Sequence, residues 1–303
     1  MPVRAVVTGG AGFIGSHVVD ALLARDDEVH VLDNLVTGKR ENVPDAARLH
    51  EGDIRTDTHA LFDEVRPEVC FHYAAQADVR VSVDRPDFDA DVNVVGTVHV
   101  LEAARTHGTK IVFASTGGAI YGECDGPAAE DAPRRPVAPY GTAKLAAEEY
   151  IQTYNRLYGS GHVVLRYGNV YGPRQDPHGE AGVVAIFMNR LRAGYAPRIF
   201  GDGTQTRDYV YVADAVDAAL AALESDGGTF NVATGKETSV VELLRRIQGV
   251  AGSQMEAEFA DSRPGELQRS SLDVSRAAAE LGWRPARDLD AGLAETWRWI
   301  SGR

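Results

Sequence analysis

The chain is built on the stretch Val3-Arg4-Ala5-Val6-Val7-Thr8-Gly9-Gly10-Ala11-Gly12-Phe13-Ile14-Gly15-Ser16-His17, near its start. A short apolar run ends there at a cluster of glycines. Beyond the glycines, apolar residues recur at helical spacing, at Ile14, Val18, Leu22 and Leu23. This change of period predicts a strand, a tight turn and a helix.

The spacing Gly9-x-x-Gly12-x-x-Gly15 gives each glycine a physical role. One glycine permits a turn with positive φ, a second lets the backbone approach a pyrophosphate, and a third lets the helix pack closely on the strand. The N-terminus of the helix then points at the anion. Because three glycines alone often form only a turn, the motif needs support from elsewhere in the chain.

Asp33 supplies that support. It follows the next apolar run, Val29-His30-Val31-Leu32, at about the separation from the glycines at which a carboxylate binds the adenosine ribose hydroxyls. Since a carboxylate repels a 2′-phosphate, we expect NAD rather than NADP as the cofactor. Lys39 and Arg40 lie farther along the chain and would weaken this preference.

Length, composition and charge bound the class of protein. The chain has 303 residues, 44% of them hydrophobic, which is enough for one large α/β unit or two closely joined domains. Its formal net charge of −13 argues against nucleic acid and anionic membranes as partners. No stretch is long and apolar enough to span a bilayer, and the start does not read as a secretion signal, so we expect a cytoplasmic protein. Cys70 and Cys124 have neither disulfide nor metal-ligand spacing, so we expect no metal site.

Tyr140 and Lys144 are the strongest catalytic candidates. They open a predicted helix that reaches about Tyr158, and their four-residue spacing puts the phenol and the ammonium on one face. A nearby ammonium favours the phenolate and so makes a weak acid a base near neutral pH. Upstream, a predicted strand ends at Ser115-Thr116, whose hydroxyls are further catalytic candidates. A Tyr-x-x-x-Lys pair alone is usually an exposed helix pair, but after the glycine loop and this strand end it indicates catalysis.

Together these motifs resemble the extended short-chain dehydrogenase/reductases, and within them the chain is most similar to the UDP-glucose 4-epimerase family. The resemblance is carried by the glycine loop, Asp33, Ser115-Thr116, Tyr121-Gly122, Tyr140-x-x-x-Lys144, Arg166-Tyr167-Gly168-Asn169-Val170-Tyr171-Gly172-Pro173 and Arg207-Asp208-Tyr209-Val210. It covers nearly the whole chain, and the occurrence of all these motifs in this order is highly specific.

The resemblance implies an α/β fold, a doubly wound parallel (Rossmann) sheet with a smaller C-terminal substrate-binding domain. We expect residues 1–173 to form the NAD-binding domain, with a return segment at about 207–232. Residues 174–206 and 233–303 would form the UDP-sugar-binding domain.

The resemblance also implies a homodimer through the helices that start near Val92 and Tyr140, with Leu145, Ile151 and Tyr154 as candidate apolar positions.

The predicted cofactor contacts follow the ends of the predicted strands. They are Gly9, Gly12, Phe13, Ile14, Asp33, Asn34, Asp53, Ile54, Ala74, Ala75, Gln76, Asn93, Tyr140, Lys144 and Tyr167. Asp53 and Ile54 suit an adenine edge, although an Asp after a Gly is more often only a turn. Asn93 either braces an active-site loop or is a solvated helix residue, and we interpret His72 as a satisfied buried histidine.

The predicted substrate contacts lie mostly in the second half of the chain. They are Gly117, Asn169, Val183, Arg192, Phe200, Arg207, Arg263, Glu266 and Ser270. The resemblance implies uridine and pyrophosphate contacts from Asn169, Val183, Phe200 and Arg207, a phosphate contact from Arg263 and a ribose contact from Glu266. Arginine suits phosphate because its planar fork binds two oxygens. We interpret Arg190 and Arg287 as members of surface ion pairs.

The reaction that the resemblance implies is a transient oxidation. Tyr140, as phenolate, removes the proton of the sugar C4 hydroxyl while the C4 hydride passes to NAD, and the 4-keto sugar takes the hydride back on its other face. Relatives usually carry a catalytic Ser or Thr at the position of Gly117, so Thr116 and Ser115, one and two residues earlier, are the candidates for that hydroxyl here.

Two alternative functions remain open. A sugar-nucleotide 4,6-dehydratase would carry an Asp-Glu pair where this chain has Gly118 and Ala119, which disfavours dehydration. A non-catalytic nucleotide sensor on the same fold would commonly lack the Tyr or the Lys, and both are present.

The sugar is the least determined part of the substrate. UDP-glucose/UDP-galactose and UDP-glucuronate/UDP-galacturonate are near-equal candidates, because Gly117-Gly118 exposes backbone amides and Arg192 would favour a C6 carboxylate if it turned inward. The alternative for Arg192 is a solvated helix residue. Ser270, a small residue at the family's pocket gate, leaves room for an N-acetyl group at C2.

Overall fold

The computed structural model describes residues 2–177, 182–262 and 267–302. In these ranges the strands are β1 (Arg4–Thr8), β2 (Glu28–Asp33), β3 (Arg48–Glu51), β4 (Val69–His72), β5 (Lys110–Thr116), β6 (Val163–Tyr167), β7 (Asn169–Tyr171), β8 (Arg198–Phe200), β9 (Thr206–Tyr211), β10 (Gly228–Val232), β11 (Glu237–Ser239) and β12 (Glu258–Ala260). Seven of these strands form one parallel sheet in the order β10-β6-β5-β4-β1-β2-β3. The predicted doubly wound parallel sheet is therefore confirmed.

The α-helices in the same ranges are α1 (Phe13–Leu23), α2 (Thr58–Val65), α3 (Val79–Asp84), α4 (Pro86–Ala90), α5 (Gly96–His107), α6 (Gly117–Ile120), α7 (Pro139–Tyr158), α8 (Val183–Arg192), α9 (Val212–Ala221), α10 (Val240–Ala251), α11 (Ser275–Glu280) and α12 (Leu289–Ser301). A π-helical turn, Asp91–Val95, joins α4 to α5. α5 ends where the sequence predicts, because Gly108 follows it with a positive φ of 68°. None of the helices in the described ranges is both long enough and apolar enough to cross a membrane.

Two apolar layers cover the large sheet. Side chains alternate along β1, so Ala5 and Val7 face one layer and Val6 faces the other. The first layer contains apolar residues of α1 and α9, and the second contains those of α2, α5 and α7. Covering both faces is what lets strands as apolar as β1 form a parallel sheet.

A third apolar cluster lies in the second half of the chain. It combines residues of α8, α10 and α12 with aromatic side chains of β7 and β9, including Tyr171 and Tyr211. β11, β9 and β7 form a three-stranded sheet beside it, and β12 pairs with β8. The chain returns to the large sheet through α9 and β10, which pairs with β6.

One expected interface position belongs to the interior instead. Ile151 is fully buried and packs in the layer formed with α2 and α5, so it is not available to a second subunit. The exposed apolar side chains of α7 are Tyr150, Leu157 and Tyr158. Four-residue helical periodicity shows which residues share a face, but it does not show whether that face meets the protein's own core.

Candidate active site

The candidate site lies where the parallel strands end. Thr8, Asp33, His72, Thr116 and Tyr167 are the last residues of β1, β2, β4, β5 and β6. β1 pairs with both β2 and β4, so the strand order reverses at β1. In open parallel sheets, ligands bind in the crevice outside such a reversal.

The glycine loop between β1 and α1 has the close approaches that its spacing predicts. Gly9 has a φ of 69°, and a Cβ there would lie 2.6 Å from the backbone nitrogen of Ala74. A Cβ at Gly15 would lie 2.3 Å from the carbonyl oxygen of Gly9, so α1 begins directly against the turn. In the described part of the chain, no side chain caps α1 at Gly12, which leaves its first N–H groups to an anion.

Asp33 connects two backbone segments at the edge of this crevice. Its side chain is buried, and its two carboxylate oxygens accept the N–H groups of Ala11 (3.0 Å) and Leu35 (2.9 Å). Gly38 packs against it, since a Cβ there would lie 2.7 Å from Oδ1. Each carboxylate oxygen has a second lone pair, so Asp33 retains acceptors for ribose hydroxyls.

Asp53 and Asn34 meet at the predicted adenine edge. Asn34 donates its side-chain N–H to Asp53 Oδ2 (3.3 Å), and Arg55 binds both oxygens of Asp53 (2.8 and 2.9 Å). Arg55 thereby lowers the pKa of Asp53 to about 2, mainly through these hydrogen bonds. Ile54 lies in the apolar layer beneath, so only its backbone faces this edge. Arg55 also binds Asp91 (2.7 Å). Arg55 is the one member of this group that was not predicted from the sequence.

The loop after β4 is braced as predicted for Asn93. Asn93 Oδ1 accepts the N–H of Gln76 (3.0 Å), and its amide donates to the Gln76 carbonyl (2.9 Å) and to Asp89 (3.0 Å). Asn93 is 2% exposed, so the solvated alternative is wrong. The small residues Ala74 and Ala75 precede Gln76 in this loop.

His72 is the satisfied buried histidine that we expected. Its Nδ1 lies 2.7 Å from the Thr8 hydroxyl and its Nε2 lies 3.0 Å from the Thr97 hydroxyl. Because Thr97 donates its own proton to the Asn93 carbonyl, Nε2 is the donor in the second contact. Burial, followed by the charge of Lys144, lowers the pKa of His72 to about 3, so the ring is neutral.

Tyr140 and Lys144 lie one turn apart on α7, above the end of β5. The Lys144 ammonium donates to the carbonyl of Ala114 (3.0 Å) and lies 4.7 Å from the centre of the Phe113 ring. Burial lowers the pKa of Lys144 to about 8, opposed by the negative charges of Asp89 and Glu148. Burial also raises the pKa of Tyr140, and the charge of Asp89 raises it further. A positive charge must therefore offset the cost of forming a phenolate here, and Lys144, one turn away on the same face of α7, is the candidate for that role.

Ser115 lies on the opposite side of β5 from Thr116, because side chains alternate along a strand. Its hydroxyl donates to Glu148, which is also bound by Arg166 through two nitrogens at 2.6 and 3.1 Å. All three side chains are buried. The predicted catalytic hydroxyl of Ser115 is thus engaged in a structural ion-pair cluster.

Thr116 and Asn169 both lie close to Gly118. A Cβ at Gly118 would be 3.6 Å from Asn169 Oδ1 and 3.9 Å from Thr116 Oγ1, so both polar groups are within van der Waals contact of that position. Gly117 differs, since a Cβ there would lie 2.4 Å from Leu272 Cδ1. The prediction that Gly117 contacts substrate does not fit this packing, because Leu272 covers it.

Asp208 anchors the segment that carries Leu272 and Ser270. Its carboxylate accepts N–H groups of Thr234 (2.8 Å), Gly235 (2.8 Å) and Leu272 (3.3 Å). Burial raises its pKa, and these hydrogen bonds oppose the rise. In the sequence, Asp208 is visible only as part of a motif. Its role as a buried acceptor depends on contacts with residues distant in the chain, so the sequence does not show it. Ser270 itself is 6% exposed.

The remaining substrate candidates are divided between the site region and other roles. Val183 begins α8, Phe200 ends β8, and Arg207 donates to the carbonyls of Thr206 and Leu267 (2.8 and 2.9 Å). Arg192 is exposed at the end of α8 and donates to the carbonyl of Ile300 in α12 (2.8 Å), which agrees with the alternative of a solvated helix residue and not with an inward turn toward a sugar carboxylate. Arg263 and Glu266 lie outside the described residues.

Three further interpretations are resolved by side-chain contacts. The Tyr167 hydroxyl lies 2.7 Å from that of Tyr73 and its ring packs in the first apolar layer, while its predicted cofactor contact stays a prediction. Arg287 pairs with Asp214 (2.9 Å), and Arg190 is 4.0 Å from Glu258, as expected for ion-pair residues. Phe13 and Ile14 form the first turn of α1. Within the described ranges, no cluster of three or more His, Cys, Asp or Glu side chains is arranged to hold a metal ion.

The chain belongs to the NAD dependent epimerase/dehydratase family, whose model matches residues 5–233. Among its relatives, the UDP-glucose 4-epimerase of Mycolicibacterium smegmatis is 49% identical over 303 residues, covering 97% of each chain. The UDP-glucose 4-epimerase of Thermotoga maritima, solved with UDP-glucose, is 45% identical with a TM-score of 0.96 over 98% of both chains. The Thermus thermophilus UDP-glucose 4-epimerase, solved with NAD, is 48% identical with a TM-score of 0.94 over 99% of both chains. The predicted epimerase class, its NAD cofactor and its isomerase activity are confirmed.

Proposed function

We propose that this chain interconverts UDP-glucose and UDP-galactose, with Tyr140 as the group that moves the proton of the sugar C4 hydroxyl. The observation that carries the proposal is the placement of Tyr140 and Lys144 on one face of α7, with Lys144 fixed to the Ala114 carbonyl at the edge where β5 ends. NAD, when bound, accepts the hydride of C4 and returns it to the opposite face of the sugar.

The residues of the crevice fit that cofactor. The turn at Gly9, the uncapped start of α1 and the carboxylate of Asp33 suit its pyrophosphate and ribose. Asp53 with Asn34 suits the adenine, and the braced loop 74–76 forms the floor near Gly9. Lys144 holds a positive charge beside the phenol, which lowers the cost of the phenolate. Thr116 and Asn169, both close to Gly118, offer hydrogen bonds to the sugar nucleotide.

The neutral sugar pair is favoured by the contacts of the arginines near α8. Arg192 binds the Ile300 carbonyl, Arg190 binds the Ala196 carbonyl (2.6 Å), and Arg198 pairs with Glu258 (3.2 Å). These contacts leave the proposed carboxylate pocket without the cation on which it depended. We expect kcat/KM for UDP-glucose to exceed that for UDP-glucuronate, and the reverse order would overturn the choice of sugar. Tolerance of an N-acetyl group beside Ser270 remains a prediction.

The domain and assembly proposals follow the same division of the chain. The NAD-binding unit would comprise residues 1–173 with the return at about 207–232, and the sugar-binding unit residues 174–206 and 233–303.

We also propose a homodimer through the outer faces of α5 and α7, supported by the exposed apolar side chains of Val95, Tyr150, Leu157 and Tyr158. A cytoplasmic location remains a prediction from the sequence.

Tyr140→Phe tests the catalytic assignment. We expect loss of epimerisation by about a hundredfold or more, because the general base is removed, with NAD and UDP binding retained. Thr116→Ala is the matched variant, and it should cost less because Thr116 only contributes a hydrogen bond. A coupled assay of UDP-galactose formation measures activity, and the NAD released on denaturation together with calorimetric titration of UDP measures binding. Equal losses in both variants would make Thr116 a full partner in the proton transfer.

A further inference from the structure

A buried carboxylate near the catalytic pair has no role in the chemistry described so far. Asp89 lies on the short helix α4 and is 1% exposed. α4 packs against α7, which carries Tyr140 and Lys144. A carboxylate this deeply buried is costly unless neighbouring groups stabilise its charge.

Only one of the two carboxylate oxygens of Asp89 accepts hydrogen bonds from the described residues. Its Oδ1 accepts the side-chain N–H groups of Gln76 (2.8 Å) and Asn93 (3.0 Å). The orientation of both amides is fixed from the other end, because Asn93 Oδ1 accepts the N–H of Gln76 and Gln76 Oε1 accepts the N–H of Asp78 (2.7 Å). Oδ2 is buried and has no hydrogen-bond partner among the described residues.

The charged and titratable groups that act on Asp89 come from α7. Lys144 lowers the pKa of Asp89 against the rise caused by burial. In the other direction, the negative charge of Asp89 raises the pKa of both Lys144 and Tyr140. Glu148, the other carboxylate that acts on Lys144, is already neutralised by Arg166. Asp89 is therefore the carboxylate whose charge, not neutralised by an arginine, acts on Tyr140 and Lys144.

We propose that Asp89 is a positioning residue that couples the braced loop at Gln76 to the charge of the Tyr140–Lys144 pair. One oxygen holds the loop through two amides, and the carboxylate as a whole keeps Lys144 charged while restraining ionisation of Tyr140. The inference rests on the catalytic roles proposed above for Tyr140 and Lys144.

Asp89→Asn tests the proposal through the pH dependence of kcat. Removing the negative charge lowers the pKa of both Tyr140 and Lys144, so both limbs of the profile should move to lower pH, by about one unit. Asn93→Ala is the control for the loop contacts, because it removes one hydrogen bond from the same oxygen and two from the Gln76 backbone while it leaves the carboxylate in place. It should lower kcat at every pH without moving the limbs.

The outcomes separate this inference from the proposed function. If the wild-type protein is folded and loaded with NAD but converts no UDP-hexose, the proposed function fails. If the wild type is active and Asp89→Asn lowers kcat without moving its profile, Asp89 is only structural and the inference fails. Should Asp89→Asn not fold, as judged by circular dichroism, Asp89→Ser removes the same charge with a smaller side chain. Failure of both variants to fold would also overturn the proposal, since the carboxylate would then serve the fold alone.

Discussion

Leu272 occupies the space that a side chain at Gly117 would need. A side chain at Gly117 would point into Leu272, whose N–H is held by the buried carboxylate of Asp208. Thr116, the preceding residue, instead lies close to Gly118. A residue more than a hundred positions away in the sequence therefore limits which side chains fit at Gly117.

Gly117→Ser should destabilise the protein without improving catalysis. The new Cβ would overlap the Leu272 side chain, and overpacking of this kind costs about 1–3 kcal/mol. Leu272→Ala alone should also destabilise, by about 2–5 kcal/mol, because it leaves a cavity. The double variant should lose less than the two single changes together, because each relieves the defect of the other. Urea denaturation gives the free energy of unfolding of all three, and strict additivity would show that the two side chains do not compete for this space.

At the scale of a single element, α7 organises most of the catalytic centre. Tyr140, Lys144 and Glu148 recur every four residues and so share one face of the helix. The last of them is bound by Arg166 at the end of β6 and by Ser115 in β5, which fixes α7 relative to the sheet. The same cluster continues to the Tyr121 hydroxyl, which lies 2.7 Å from Arg166.

Glu148→Gln should therefore destabilise more than Ser115→Ala. The first change leaves the guanidinium of Arg166 buried without its counter-charge, which costs about 3–5 kcal/mol. The second removes one hydroxyl donor and leaves the ion pair intact, at about 1–3 kcal/mol. Chemical denaturation of the two variants measures the difference. A larger loss from Ser115→Ala would mean that the serine, and not the ion pair, is the main support of α7.

At the scale of the whole molecule, the exposed apolar side chains of α7 are grouped beyond the active site. Tyr150, Leu157 and Tyr158 are 46%, 66% and 53% exposed, and Val95, the last residue of the π-helical turn before α5, is 46% exposed. Exposed apolar side chains of this size support the proposed contact with a second copy of the chain. Of the three candidate positions that the resemblance suggested, Ile151 is internal, whereas Leu145 and Tyr154 are only partly buried.

Leu157→Arg should convert the proposed homodimer to monomers, because an arginine would be buried at the contact without a counter-charge. Tyr195→Arg is the control, since Tyr195 is 65% exposed in the loop after α8, away from α7. Sedimentation velocity gives the mass in solution. A wild-type protein that sediments as a monomer, or a Leu157→Arg variant that remains dimeric, would contradict this assignment of the interface.

The amino-acid sequence determined the parallel sheet, the NAD crevice and the Tyr140–Lys144 pair, because each depends on short-range order. Glycine spacing fixes the turn after β1, apolar periodicity fixes the strands and helices, and a four-residue interval places two side chains on one face. The preference for Thr116 also came from local order, as the hydroxyl nearest to Gly117.

Only the tertiary structure decided which side chains were free to act there. The Ser115 hydroxyl is hydrogen-bonded to Glu148, and the Arg192 guanidinium is hydrogen-bonded to the Ile300 carbonyl. The Leu272 side chain packs against Gly117. Asp89, which no motif marks, is buried near the catalytic pair because α4 packs on α7. Each of these outcomes depends on contacts between residues distant in sequence or on which side of an element faces a neighbour, and pattern along the chain carries no information about either.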